Sequence, residues 1–281
     1  MSHIRTKTIG EACFWLGLVI EILIVIVDKS AYTNPLESQL FRLTFLLFCI
    51  KIALTKYSAG EWLCMLLFGA VMFVSYRINE RDEAVRIIAF IAACKGMDIK
   101  KVMRVVCWVT FAGCAALVLL SVTGIYGKVA VTANFGREVQ PGQFEETRYV
   151  LGMGHPNALH CMFWMVVVLA VYSYADVLRW YHYALFMALN FALYSLTGSK
   201  TGVIVCFLFL ASSFVMRYCR KCRECRGIYI LGAVAVLGCV VFAAVFSHLE
   251  NTYDTVDTLV HKLDSMLNGR YQSCYAVEAA R

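Results

Sequence analysis

The stretch from Arg148 to Asn157 reads R-Y-V-L-G-M-G-H-P-N and stands at the mouth of a long apolar run. Its residue types suit anion chemistry. Pro156 fits the first position of a helix, where its missing N–H would have no partner anyway. His155 then takes the N-cap and Asn157 the first turn. Free backbone N–H groups and the positive end of the helix dipole would together seat a phosphate. Arg148 could fork onto the same group. Gly152 and Gly154 would let the backbone come close to it. The plainer alternative is a helix cap carrying an interfacial histidine.

A second cluster, T-G-S-K-T-G from Thr197 to Gly202, joins two apolar runs through a very short turn. Ser199 is a natural N-cap, which places Lys200 in the first helical turn beside Thr201. The dipole favours acids there, so a lysine is locally unfavourable unless a polyanion binds. The alternative is a tight turn whose Lys200 reaches up to lipid headgroups. The spacing is not that of a phosphate-binding P-loop. A third cluster, L-N-G-R from Leu267 to Arg270, follows the last apolar run. Val256, Leu259, Val260, Leu263 and Leu267 recur at three- and four-residue steps and predict an amphipathic surface helix in that tail.

The elements that must position these clusters are membrane helices. The chain has 281 residues, is 60% hydrophobic and only 16% charged, and has a mean hydropathy of +0.68. A soluble domain of this length needs far more polar surface. Apolar segments run over about 12–27, 36–54, 62–76, 84–94, 102–122, 158–174, 181–196, 203–215 and 228–246. The fold class expected is therefore an all-α polytopic membrane protein of about nine spans, forming one membrane domain over 1–281. The densest basic loops, Lys95 to Arg104 and Arg217 to Arg226, belong in the cytoplasm by the positive-inside tendency, with the N-terminus beside them. All three polar clusters and the C-terminal tail then share the exterior face. Cations fall there too, among them Lys128, Arg137 and Arg148; an anionic substrate or pairing with acids such as Glu145 and Glu146 would account for them equally.

Glu21 and Arg42 lie at similar depth in the first two segments and are expected to pair. Most of the thirteen cysteines sit inside apolar runs and act as small hydrophobes. Cys219, Cys222 and Cys225 have a metal-like spacing, but interleaved cations and the lack of a fourth ligand favour reduced thiols in a basic loop.

Taken together, R-x-x-L-G-x-G-H-P-N, T-x-S-K-T-G two segments later and the final G-R resemble the O-antigen polymerase and O-antigen ligase family. The resemblance runs from about residue 95 to 281, and it rests on the order, spacing and shared face of the motifs. It implies a multi-pass inverting glycosyltransferase in the bacterial cytoplasmic membrane, with no cofactor, no metal and no nucleic acid. It implies polymerisation of undecaprenyl-pyrophosphate-linked oligosaccharide repeat units for a surface polysaccharide, alongside a flippase and a chain-length regulator. Carried over residue by residue, it assigns Arg148, His155 and Arg270 to catalysis. Asn157, Ser199, Lys200 and Thr201 go to the pyrophosphate and glycan, and Arg137, an exterior cation outside the motifs, is a candidate to bind the same anion.

The family usually continues well beyond the point where this chain stops, and its catalytic histidine lies in that later part. A C-terminally truncated or split polymerase is the resulting expectation. Ligase-type glycan transfer and a non-enzymatic flippase of lipid-linked sugars are the alternatives. A flippase predicts charge through the whole membrane, whereas the polar motifs here crowd one face.

Overall fold

Alternation of polar turns and apolar runs resolves into helices. A computed structural model describes residues 2–79, 83–135 and 145–249. The elements are α1 (Ser2–Asp28), α2 (Glu37–Ala53), α3 (Ala59–Asn79), α4 (Glu83–Ala93), α5 (Ile99–Val122), β1 (Ala130–Asn134), β2 (Glu145–Tyr149), α6 (Pro156–Ser173), α7 (Trp180–Thr197), α8 (Lys200–Tyr218), α9 (Arg220–Glu224) and α10 (Arg226–Leu249). Each of the nine apolar segments falls on one helix and overruns its ends by no more than one residue. Five helices, α1, α3, α5, α6 and α8, are long and apolar enough to cross a membrane. The spanning stretch of α3 buries none of its residues within the protein and leaves Leu66, Phe68 and Val71 bare, an apolar surface suited to lipid and not to water.

Two features lie outside the nine apolar segments. β1 and β2 pair as a two-stranded sheet inside what the sequence presents as a loop. Their five-residue segments, A-V-T-A-N and E-E-T-R-Y, are too short and too polar to give an apolar alternation. α9 is a single extra turn in the basic loop.

The chain forms two compact units, each described by itself: residues 1–130 with 149–209, and residues 131–148 with 210–281. In the first, Phe14 of α1, Phe48 of α2 and Phe90 of α4 form an aromatic cluster with centroids 5.8–6.2 Å apart. Val102 and Val106 of α5 and Leu159, Met162 and Leu169 of α6 continue that core.

Side-chain contacts sort the helix ends of this unit. Lys95 after α4 meets Glu61 at the start of α3 (2.5 Å), and Lys100 of α5 meets Asp176 after α6 (2.6 Å). At the other end, Ser30 after α1 bridges to Met153 before α6, and Gly152 N donates to Lys128 O after α5. The two-residue turn between α7 and α8 lies at that same end, because His160 of α6 reaches Thr197.

Glu21 finds a different partner from the one expected. Thr44 Oγ1 donates to it at 2.8 Å, and Arg86 of α4 approaches at 3.8 Å while also facing Glu37 at 3.9 Å and covering the Phe41 ring. Thr44, Phe48 and Lys51 mark the buried face of α2. Arg42, two residues and therefore about 200° from Thr44, points away and is exposed.

In the second unit, Thr132 and Thr147 hydroxyls bond across the sheet at 2.8 Å. The arginine and glutamate at the two ends of α9, Arg220 and Glu224, pair at 2.7 Å.

Candidate functional site

The start of α6 forms as its residue types require. His155 has extended backbone angles, Pro156 opens the helix, and Asn157 N donates to His155 Nδ1 at 3.1 Å. A ring nitrogen that accepts a backbone N–H carries no proton, so neutral His155 bears its hydrogen on Nε2. In this state the exposed ring acts as a cap, with Nδ1 already occupied. Asn157 is half-buried beside it.

The glycines upstream serve close packing within the chain. A Cβ on Gly152, at φ +83°, would lie 2.7 Å from Leu117 O, and one on Gly154 would lie 3.0 Å from Ser30 O. Their bareness thus holds the entry to α6 against the ends of α1 and α5. This replaces the ligand approach expected from their types.

The α7–α8 turn closes with Gly198 in the left-handed region and its N–H on Tyr194 O at 2.8 Å. Ser199 then caps α8: its Oγ accepts Gly202 N at 3.3 Å, while its own N donates to Thr197 Oγ1 at 3.3 Å. Ser199 is buried, whereas Lys200 and Thr201 are exposed in the first turn of α8. Lys200 makes no ion pair among the described residues, and α6, α7 and α8 contain no Asp or Glu. The unfavourable placement of a lysine at a helix start is therefore not offset by a local carboxylate.

Beneath this turn lies a polar network that the reading of motifs passed over. His160 is fully buried, with Nε2 2.8 Å from Asn190 Oδ1 of α7 and Nδ1 3.2 Å from Thr197 Oγ1. Asn190 Nδ2 donates to Val203 O of α8 at 3.1 Å, and Thr197 Oγ1 stands 2.9 Å from Leu193 O, a carbonyl within its donating reach. A Cβ on Gly202 would sit 2.6 Å from His160 Cγ, so the second glycine of T-G-S-K-T-G is the space the imidazole fills. The network ties three helices at the level where α6 and α8 begin. The signal for it was available: His160 and Asn190 are polar residues inside apolar helices, which rarely occur without partners.

Arg148, in the other unit, is buried; it pairs with Glu146 and stacks on Phe135 at 4.3 Å. The acidic neighbour thus holds the guanidinium that was expected to face a phosphate. Arg137 and Arg270 lie outside the described residues, as does the amphipathic tail. No group of three or more His, Cys, Asp or Glu able to hold a metal occurs among the described residues. A mostly apolar cavity of about 380 Å³ lies among α1, α4, α5 and α6, with Glu21 and Arg86 on its wall beside Ile22, Phe90 and Met162.

The chain matches no protein-family model, no curated protein and no solved structure.

Proposed function

We propose that this chain is a membrane-embedded polysaccharide polymerase of the kind its motifs resemble, joining undecaprenyl-pyrophosphate-linked oligosaccharides at the outer face of the bacterial cytoplasmic membrane. The observation that carries this reading is Lys200: an exposed cation in the first turn of α8, with no carboxylate on the three helices around it. The buried His160 network holds that turn against the start of α6. In the proposed reaction a glycan hydroxyl attacks the anomeric carbon and the lipid pyrophosphate departs with developing negative charge. Lys200, the N–H of Thr201 and the positive ends of the α6 and α8 dipoles would stabilise that charge, the type of contribution that is usually largest in such sites. A base is still required for the hydroxyl proton; His155 serves only after releasing Asn157 N. Nine spans, with the Lys200 end exterior, belong to the same proposal.

The test is polymer length in membranes of cells carrying the full chain. Lys200→Ala should shorten or abolish the glycan ladder at unchanged protein level, and Lys200→Arg should restore most of it. A normal ladder from Lys200→Ala would overturn the reading. Undecaprenyl-linked repeat units accumulating on the inner face would favour transport instead.

A further inference from the structure

We infer that His160 is a proton-linked charge for the anion seat at Lys200, neutral when the seat is empty and protonated when an anion docks; this rests on the anion-binding reading above. The hydrogen-bond geometry sets out both states. Val203 O can only accept, so Asn190 presents Nδ2 to it and Oδ1 to His160. Nε2 therefore carries a hydrogen whatever the ring's charge. The facing hydroxyl, Thr197 Oγ1, has two outlets: Nδ1 at 3.2 Å and Leu193 O at 2.9 Å. With a neutral ring the hydroxyl donates to Nδ1. With an imidazolium, Nδ1–H donates to Oγ1 and the hydroxyl turns to Leu193 O. Ser199 N donates to the same oxygen in either case, so the turn is kept. One hydroxyl rotation satisfies both forms of a fully buried histidine, where ionisation ordinarily strands a polar group.

The surrounding charges decide which form is held. Helices α5, α6, α7 and α8 carry no Asp or Glu. Lys100, Lys101 and Arg104 of α5, His182 of α7 and Arg217 of α8 sit toward the opposite helix ends. At the near end stand His155, Cys161, Tyr194, Lys200 and Cys206, and Lys200 is the fixed charge among them. Lys200, one turn from the network, opposes an imidazolium below it; an anion there reverses the sign. Proton uptake and anion binding are then coupled, and each favours the other equally.

Nitrogen shifts of a full-length chain labelled with 15N-histidine and 15N-lysine in lipid bilayers would test this, followed from about pH 8 to about pH 5, across the ordinary histidine range. The Lys200 Nζ signal is assigned by its loss in Lys200→Gln. The anion is sulfate, whose charge is constant over that range. His160 is assigned by its loss in His160→Gln and its displacement in Thr197→Val. The expected result is an Nε2–H tautomer at high pH and a midpoint raised by about half a unit or more with sulfate. Thr197→Val should lose that rise. An Nδ1–H tautomer, or an unmoved midpoint while sulfate shifts the Lys200 Nζ signal, overturns the inference and leaves the anion reading standing. Sulfate that moves neither signal overturns both, and a rise kept in Thr197→Val overturns the hydroxyl's role.

Discussion

Gly202 shows how much a single missing methyl group can hold. An alanine there would place a carbon 2.6 Å from His160 Cγ and 2.7 Å from Cδ2, and 2.9 Å from Ser199 Oγ. The ring cannot retreat without breaking its bonds to Asn190 and Thr197. Gly202→Ala should therefore lower stability by about 1–3 kcal/mol, the usual range for overpacking. Thermal unfolding in detergent would read this. Adding His160→Ala should cost less in that background than in the native chain, since the clash is relieved; strictly additive effects would mean that the two side chains do not compete for the space. His155 differs in kind. Its Nδ1 bond to Asn157 N is made within two residues, so its cap is a local property.

At the scale of elements, α4 is short, at 11 residues, yet it carries the charge that matters to α1 and α2. Arg86 lies between Glu21 and Glu37 with its side chain 17% exposed, so removing it leaves a partly buried carboxylate facing Thr44 alone. Arg86→Leu should cost about 1–3 kcal/mol, while exposed Arg42→Leu should be nearly neutral. Comparing both in one thermal-unfolding series checks the partner assignment; equal costs would contradict it. α9 makes a different prediction. The hydrogen bond from the Cys222 side chain, with help from the Cys222 backbone N–H, holds the Cys219 thiol below its ordinary range, and the same contact pushes Cys222 up. A lowered thiol is more ionised at neutral pH, and the thiolate is the reactive form. A maleimide near neutral pH should label Cys219 before Cys222, and the preference should fade as pH rises past the ordinary thiol range. In Cys222→Ala the rate at Cys219 should fall; an unchanged rate would show that the pair does not interact.

For the molecule as a whole, the pairing of helix ends and the bilayer make one prediction together. Lys128 stands at the end of the first unit where α6 and α8 begin, and Lys100 at the opposite end beside Asp176. With native cysteines replaced, Lys128→Cys should react with an impermeant maleimide on intact cells, and Lys100→Cys only after permeabilisation. Labelling of both on intact cells would rule out a bilayer between them.

What could be read along the chain was what short-range physics decides. The apolar runs marked every long helix, because burying backbone polar groups in lipid forces intrahelical bonding. The caps at His155 and Ser199 were legible, because each closes within three residues. The β1–β2 pair escaped notice, because its short polar strands are held by each other and carry no apolar period. The partner of Glu21, the clasp of Glu146 on Arg148, the use of Gly152 against Leu117 and the seating of His160 against Gly202 were decided only in the folded chain. Those contacts depend on how helices rotate and pack against neighbours far away in sequence. The residues named as candidates told what chemistry is available; packing decided that Lys200 faces outward, that Arg148 is covered, and that a histidine of no apparent motif lies under the turn.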